Sequence, residues 1–308
     1  MAWFSKSKRP KISVIMVDGS FRERFHSVHS FLQQSLSGEE VELLWIEYYD
    51  RVKPDLSRII EKYPNARILT LNRTGIYHSS YCFNAGIRES RGEVLFIPDA
   101  DVTVEKNFLA QAYREHQENA KLVMYFFRLE ESQQDHTGHI TLDHLKRVCR
   151  LNNPQNYGGC LSVRKKWLLE VNGYEQHPVL STGFHANGRE MFTRLKNLGL
   201  HARWHPHLML YHAWHPFCVA PSPLYDVQRI FIDYKAVNLI TSTFSGIDPS
   251  KNLKFPEELT RRLEKVKRQH DLKEVYEAWT DLKVDAQKMG EAAFAWQRFI
   301  DKKESRSS

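Results

Sequence analysis

The chain has 308 residues, of which 42% are hydrophobic and 26% charged; this balance excludes wholesale disorder and leaves room for one large α/β domain with an appendage. No apolar run is long enough to cross a bilayer, and the basic start MAWFSKSKRPK leads into ISVIMV without a small-residue cleavage site, so it does not read as a signal peptide. The net charge of +7 suits an anionic partner, whether a nucleotide diphosphate, an acidic lipid surface or a nucleic acid. Cys82, Cys149, Cys160 and Cys218 are scattered with no CxxC pair, which reads as reduced thiols in or near the core and not as a zinc site.

Taken in chain order, the first hundred residues alternate short β-rich runs with segments of helical length. Ile12–Val17, Val41–Ile46, Ala66–Leu71 and Val94–Ile97 are the runs; Arg22–Leu36, Pro54–Lys62 and Ser79–Ser90 are the helices between them. That rhythm implies a mainly parallel sheet with helices on both faces, binding its ligands at the carboxyl ends of the strands. Farther on, a helix is expected over Asn107–Asn119, a strand over Leu122–Phe127 and a loop over Glu130–His139. Leu161–Val163 reads as a strand running into a helix Lys165–Val171 that closes at Asn172-Gly173. Arg189–Leu198 is helical with Gly199 as its stop, and Leu208–Tyr211 is a short strand. After Pro256 the sequence becomes charged with leucines at helical spacing, giving two or three helices and a ragged end at Lys302–Ser308.

The feature with the most chemistry is Phe96-Ile97-Pro98-Asp99-Ala100-Asp101-Val102, an apolar strand ending in two carboxylates one residue apart. At the carboxyl edge of a parallel sheet such a pair can hold a hard divalent cation, directly or through water, and the cation can neutralise a departing diphosphate. Taken alone, D-x-D is short enough to be a solvated acidic turn; its place after a fourth buried strand favours the site.

At these residues the chain resembles family 2 glycosyltransferases of the GT-A fold. KISVIMV is similar to the family's opening strand, HSVHSFLQQSL to the helix after it, and VELLWIEYYD to the second strand with its acidic end. NRTGIYHSSYCFNAGIRESRGEVLFIPDADV and NYGGCLSVRKKWLLEVNGYEQ resemble the family's donor-side and acceptor-side stretches. The resemblance covers roughly residues 10 to 216. It implies a nucleotide-sugar donor, most simply UDP-linked, a divalent cation (Mn²⁺ ahead of Mg²⁺), and transfer of a hexose or N-acetylhexosamine to a saccharide or lipid-linked glycan. It also implies a Rossmann-like GT-A domain over 10–220, with a nucleotide-sugar half at about 10–104, an acceptor half at about 105–220, and a helical extension over 221–308.

Carried over by position, Asp99 and Asp101 match the D-x-D, with Asp101 the direct metal ligand. Asp18 and Glu47 match positions lining the nucleoside pocket, where a carboxylate accepts a hydrogen bond from base or ribose. Asn84 matches an asparagine near the donor, and Arg73 stands where it could pair with the diphosphate. Each also has a plain structural reading, as strand-end polarity, helix packing or a solvated cation. The pattern fails where relatives carry an acidic pair that serves as the base toward the acceptor, because this chain has Asn187-Gly188. An inverting transfer needs a base within reach of the nucleophile, which leaves Glu190 and His185. Glu190 could instead be only the partner of Arg194 one turn on.

The segment His205-Pro-His207-Leu-Met-Leu-Tyr211-His212-Ala-Trp214-His215-Pro216 resembles the element that completes the metal shell in GT-A enzymes. An imidazole suits Mn²⁺ better than Mg²⁺. In an extended segment residues three apart face opposite ways, so one histidine is expected to ligate, His212 ahead of His215. Arg261, Arg262, Lys265, Lys267 and Arg268 form a basic cluster, read either as a solvated helix face or as a contact with an anionic membrane. The expectation is a cytoplasmic protein of polysaccharide or glycoconjugate assembly, with or without peripheral contact at the inner membrane face. Nucleic-acid binding is not expected, since no recognised motif accompanies the charge. Two rivals remain: a non-catalytic binder of nucleotide-sugar or polysaccharide, favoured by Asn187-Gly188, and a nucleotidyltransferase, for which Val17-Asp18-Gly19-Ser20-Phe21 is a poor phosphate loop.

Overall fold

The computed structural model describes residues 9–74, 77–132, 140–180, 186–215 and 225–269. In chain order the elements are β1 (Ile12–Asp18), α1 (His26–Leu32), β2 (Val41–Glu47), α2 (Pro54–Ile60), β3 (Ala66–Thr70), α3 (Ser79–Glu89), β4 (Val94–Pro98) and the short β5 (Val102–Thr103). There follow α4 (Phe108–Glu118), β6 (Leu122–Glu130), α5 (Leu142–Val148), β7 (Arg150–Asn153), β8 (Cys160–Arg164), α6 (Lys165–Glu170), α7 (Asn187–Asn197), β9 (His201–His212), α8 (Tyr225–Val237) and α9 (Glu257–Gln269).

The strands form one sheet in the order β3-β2-β1-β4-β8-β6-β9-β5, with β7 paired to β6. The half β3-β2-β1-β4 is entirely parallel, as each strand is followed by a helix that returns the chain to the same edge. Both faces are covered. Ile15, Val17, Leu44 and Ile46 pack against α3, α6 and α7, while Val14, Met16, Leu43 and Trp45 pack against α1, α2 and α4. Every residue of β1 and β2 is buried, which explains why these strands read as continuous apolar runs.

Several boundaries differ from the pattern read in the sequence. The helix expected over Arg22–Leu36 is confined to His26–Leu32, because residues 22–25 turn toward the sheet edge instead. The strand expected over Leu208–Tyr211 extends over His201–His212, with a register shift against β6 around His205–Met209 where His205 Nδ1 accepts from the backbone of His207 and Leu208. The exposed β7 and the seven-residue α5 were not expected from the sequence. Asn172 and Gly173 close α6 with left-handed φ of 61° and 72°, as their types suggest. Among the described residues no helix is long and apolar enough to cross a membrane.

A buried ionic cluster fastens α8 to the main sheet. Lys235 donates to Glu175 Oε2 at 2.6 Å and to Glu190 Oε1 at 2.5 Å, and Arg194 grips Glu190 through two bonds of 2.6 Å. All four residues are fully enclosed. The backbone amides of Phe244 and Ser245 complete the coordination of Glu175. Removing one member leaves a charge uncompensated in the interior, so Lys235→Ala is expected to destabilise the chain by about 3–5 kcal/mol, read as a lowered midpoint in urea.

Candidate active site

The carboxyl edge of the parallel strands gathers the acidic residues. Asp18 ends β1 and Glu47 ends β2, directly opposite each other in the parallel register. Both are buried, and Ser20, held at φ 59° in the turn after β1, donates to Glu47 Oε1 at 2.7 Å. Burial raises Asp18 to about 6 even though Arg22 opposes it. Burial, with the charge of Asp18 beside it, raises Glu47 to about 8. Asp18 Oδ1 is enclosed without a hydrogen-bond partner, an arrangement that suits a ligand N–H or O–H.

β4 runs on to Asp99 and Asp101. Asp99 is anchored by its amide to Gly159 O at 2.9 Å and pairs with Arg128 Nη1 at 2.6 Å. Arg128 also holds Glu130, so the polar end of β6 faces this site. Antiparallel pairing of β5 with β9 sets Val102 opposite His212, which brings the residue before it, Asp101, to the end of β9. His212 Nε2 lies 3.5 Å from Asp101 Oδ1 and His215 Nε2 lies 3.3 Å from Oδ2. The two imidazole nitrogens are 3.2 Å apart. Burial works against the Asp101 charge, but Arg22 and His212 outweigh it and hold the carboxyl well below its usual range.

One carboxylate and two imidazoles thus offer three ligand atoms within 4.8 Å of one another. Asp101 Oδ1 is buried without a hydrogen-bond partner, and an N₂O donor set suits a transition ion such as Mn²⁺ better than Mg²⁺. The residues therefore fit a divalent cation. Both histidines converge here, whereas the spacing had suggested that one would turn away: the strand ends at His212, and residues 213–215 bend His215 back. Asp99, expected as a co-ligand, is outside this triad and is engaged by Arg128.

Other expected site residues stand elsewhere. Glu190 is fully buried, with Arg194 and Lys235 on its carboxylate; burial opposes its charge, yet the two cations hold it at about 2. Its carboxylate is thus committed to these two cations, where a base toward the acceptor was expected. Its rival His185 lies outside the described residues. Asn187 donates to Ser79 Oγ at 2.7 Å, and a side chain at Gly188 would come within 2.5 Å of the Tyr157 carbonyl, so close packing of α7 occupies the place of the acidic pair. Asn84 spends both ends of its amide on the Tyr174 backbone, at 2.8 and 2.6 Å, tying α3 to the segment after α6. That is an anchoring role, where a position near the donor was expected. Arg73 is exposed and stacks on Tyr81, 3.7 Å from the ring centroid, close to the end of β3.

Sequence reasoning missed Arg22, Arg128 and His26, whose Nε2 lies 3.1 Å from the Asp101 carbonyl. Only Arg128 left a trace, as the first charge after the apolar run of β6. The acidic pair at the β1–β2 edge has a consequence for stability. A carboxyl whose folded pKa is raised binds more protons folded than unfolded, so its contribution is complete below the unfolded value near 4.5 and is lost as pH rises through about 8. The protein is expected to lose thermal stability between about pH 4.5 and 8, and Glu47→Gln to flatten that slope and raise the melting temperature at pH 8, as thermal denaturation across pH would show.

The comparisons with known proteins agree with this geometry. Residues 26–172 match the family model "Glycosyl transferase family 2". No curated protein matches the chain. Among solved structures it is similar to S. aureus TarS, at 15% identity and TM-score 0.54, covering 85% of this chain and 43% of that one. It is also similar to GalNAc-T7 with UDP, GalNAc and Mn²⁺, at 16% identity and TM-score 0.52, over 84% and 55% of the two chains. A third is the mannosyltransferase PcManGT from Pyrobaculum calidifontis in complex with GDP-Man and Mn²⁺, at 13% identity and TM-score 0.51, over 94% and 75%. The chain thus spans about half the length of the first two. Residues 26–172 thus match the family 2 glycosyltransferase model, and the sheet with its parallel half has the GT-A fold of these structures.

Proposed function

We propose that the chain transfers a sugar from a nucleotide-sugar, UDP-linked in the first instance, to a saccharide or lipid-linked glycan, with a divalent cation held by Asp101, His212 and His215. The observation that carries this is the convergence of those three side chains at the carboxyl edge of a family 2 domain. The nucleotide-diphosphate sugar and Mn²⁺ of the PcManGT complex, and the UDP, GalNAc and Mn²⁺ of GalNAc-T7, support the same combination here.

When bound, the cation would neutralise the diphosphate as it leaves the sugar. The protein's own part is to read and orient. Asp18 and Glu47 line the nucleoside side, and the unpartnered Oδ1 of Asp18 suits a donor of the base or ribose. Asp101 is kept ionised at neutral pH, as a metal ligand must be. Arg128 balances Asp99 and Glu130 beside it. Inversion is the family expectation, and with Glu190 enclosed, His185 is the remaining base from the sequence. Exposed Arg261, Arg262 and Lys265 on α9 supply a cationic face for a membrane carrying a lipid-linked acceptor.

The packing of Asn187 and Gly188 favours a second reading, in which the chain binds a nucleotide-sugar without turnover. Calorimetry of a nucleotide-sugar panel with Mn²⁺ and with EDTA, followed by donor hydrolysis, separates the two. Metal-dependent binding with slow hydrolysis is expected; binding with no hydrolysis and no transfer to any glycan supports the second reading, and no binding at all sinks both. Asp101→Ala is expected to abolish Mn²⁺-dependent nucleotide binding with the circular dichroism unchanged. His215→Ala should weaken Mn²⁺ binding by at least about 10- to 100-fold, the loss typical even of residues behind a metal ligand.

A further inference from the structure

Arg22 is a cation placed between the two halves of the site. Its guanidinium pairs with Asp101 through Oδ2, the oxygen that His215 Nε2 also approaches. Its Nε lies 3.8 Å from Asp18 Oδ1, and its amide donates to Asp18 Oδ2 at 3.3 Å. One side chain, 12% exposed, therefore spans the metal carboxylate and the nucleoside-side carboxylate. A divalent cation held by Asp101, His212 and His215 would share its carboxylate with this guanidinium, and like charges so close in a partly buried site repel strongly. Both cannot hold Asp101 at full strength.

The local structure does not lock Arg22 in place. It stands in the segment between β1 and α1, whose backbone is not held by a helix or a strand ladder. Its second anchor, on Asp18, is long. Arg128 differs, because it has Glu130 at 2.6 Å as well as Asp99 to retain it.

We propose that Arg22 is an internal counter-cation of the metal site: it neutralises Asp101 in the metal-free protein, is released when a divalent cation binds there, and then pairs with the diphosphate of the donor. This rests on the metal-dependent reading above. It makes cation binding and donor binding successive, with the residue that guards the carboxylate becoming a ligand of the phosphate.

The test is Mn²⁺ titration of the full chain without nucleotide, with free Mn²⁺ read by electron paramagnetic resonance, followed by UDP titration at saturating Mn²⁺. Arg22→Gln is expected to bind Mn²⁺ about tenfold more tightly than the wild type, within the usual range of coupling between sites, and to bind UDP about tenfold more weakly. An arginine with only a structural role would weaken both. Equal or weaker Mn²⁺ binding by R22Q overturns the counter-cation, and unchanged UDP affinity overturns its transfer to the phosphate. If neither protein binds Mn²⁺, the metal reading falls with it. Arg22→Lys keeps the charge but loses the forked geometry, and should bind Mn²⁺ with intermediate affinity. If circular dichroism shows R22Q unfolded, R22K decides: tighter than wild type supports the proposal, equal or weaker overturns it.

Discussion

A carboxylate taken out of water must be met by positive charge or hydrogen-bond donors, and at Asp101 that requirement draws distant parts of the chain together. Arg22 comes from the loop after β1, and His212 and His215 come from the end of β9, more than a hundred residues later. The pairing of Val102 with His212 closes the far edge of the sheet onto the same point. The site therefore depends on the mixed half of the sheet as much as on the parallel half that supplies the acids.

The second buried acid pair works by a different balance. Asp18 and Glu47 are neighbours by strand register; Asp18 is met by Arg22 at 3.8 Å and Glu47 by the hydroxyl of Ser20. Their charge is costly, so their protons are held to higher pH. A ligand that donates hydrogen bonds at this edge relieves that cost. Asp101 shows the opposite outcome, since cations around it favour ionisation. Within one row of strand ends, two environments push similar side chains in opposite directions, so one part of the edge favours protonated carboxyls and the other ionised ones.

The region around α7 is organised by packing. Glu190, Arg194, Lys235 and Glu175 form a closed ionic cluster that fixes α7 and α8 against the segment around Ser245. Gly188 lets α7 approach the Tyr157 carbonyl, and Asn187 locks onto Ser79. These contacts replace the acidic pair that the resemblance led one to expect. α9 lays Leu259 and Leu263 on the cluster built by Phe231 and Phe244 and leaves Arg261, Arg262 and Lys265 outward.

The sequence by itself determined the parallel half of the sheet and the location of its chemistry. Strands such as Ile12–Asp18 and Val94–Pro98 are buried on both faces, so their apolar runs are continuous, and a carboxylate directly after such a run marks the sheet edge. The ordered family resemblance added the identity of the domain. Only the tertiary structure decided which polar residues meet. Glu190 has the same local surroundings whether it faces an acceptor or Lys235, and Lys235 is 45 residues away on another helix. His215 joins His212 because the chain bends after β9, which no spacing rule reveals. Arg22 looked like the start of a helix and is instead a partner of Asp101, 79 residues on. Periodicity records burial within an element, whereas ion pairing depends on contacts between elements, and a charged side chain does not carry its partner in its own neighbourhood of the sequence.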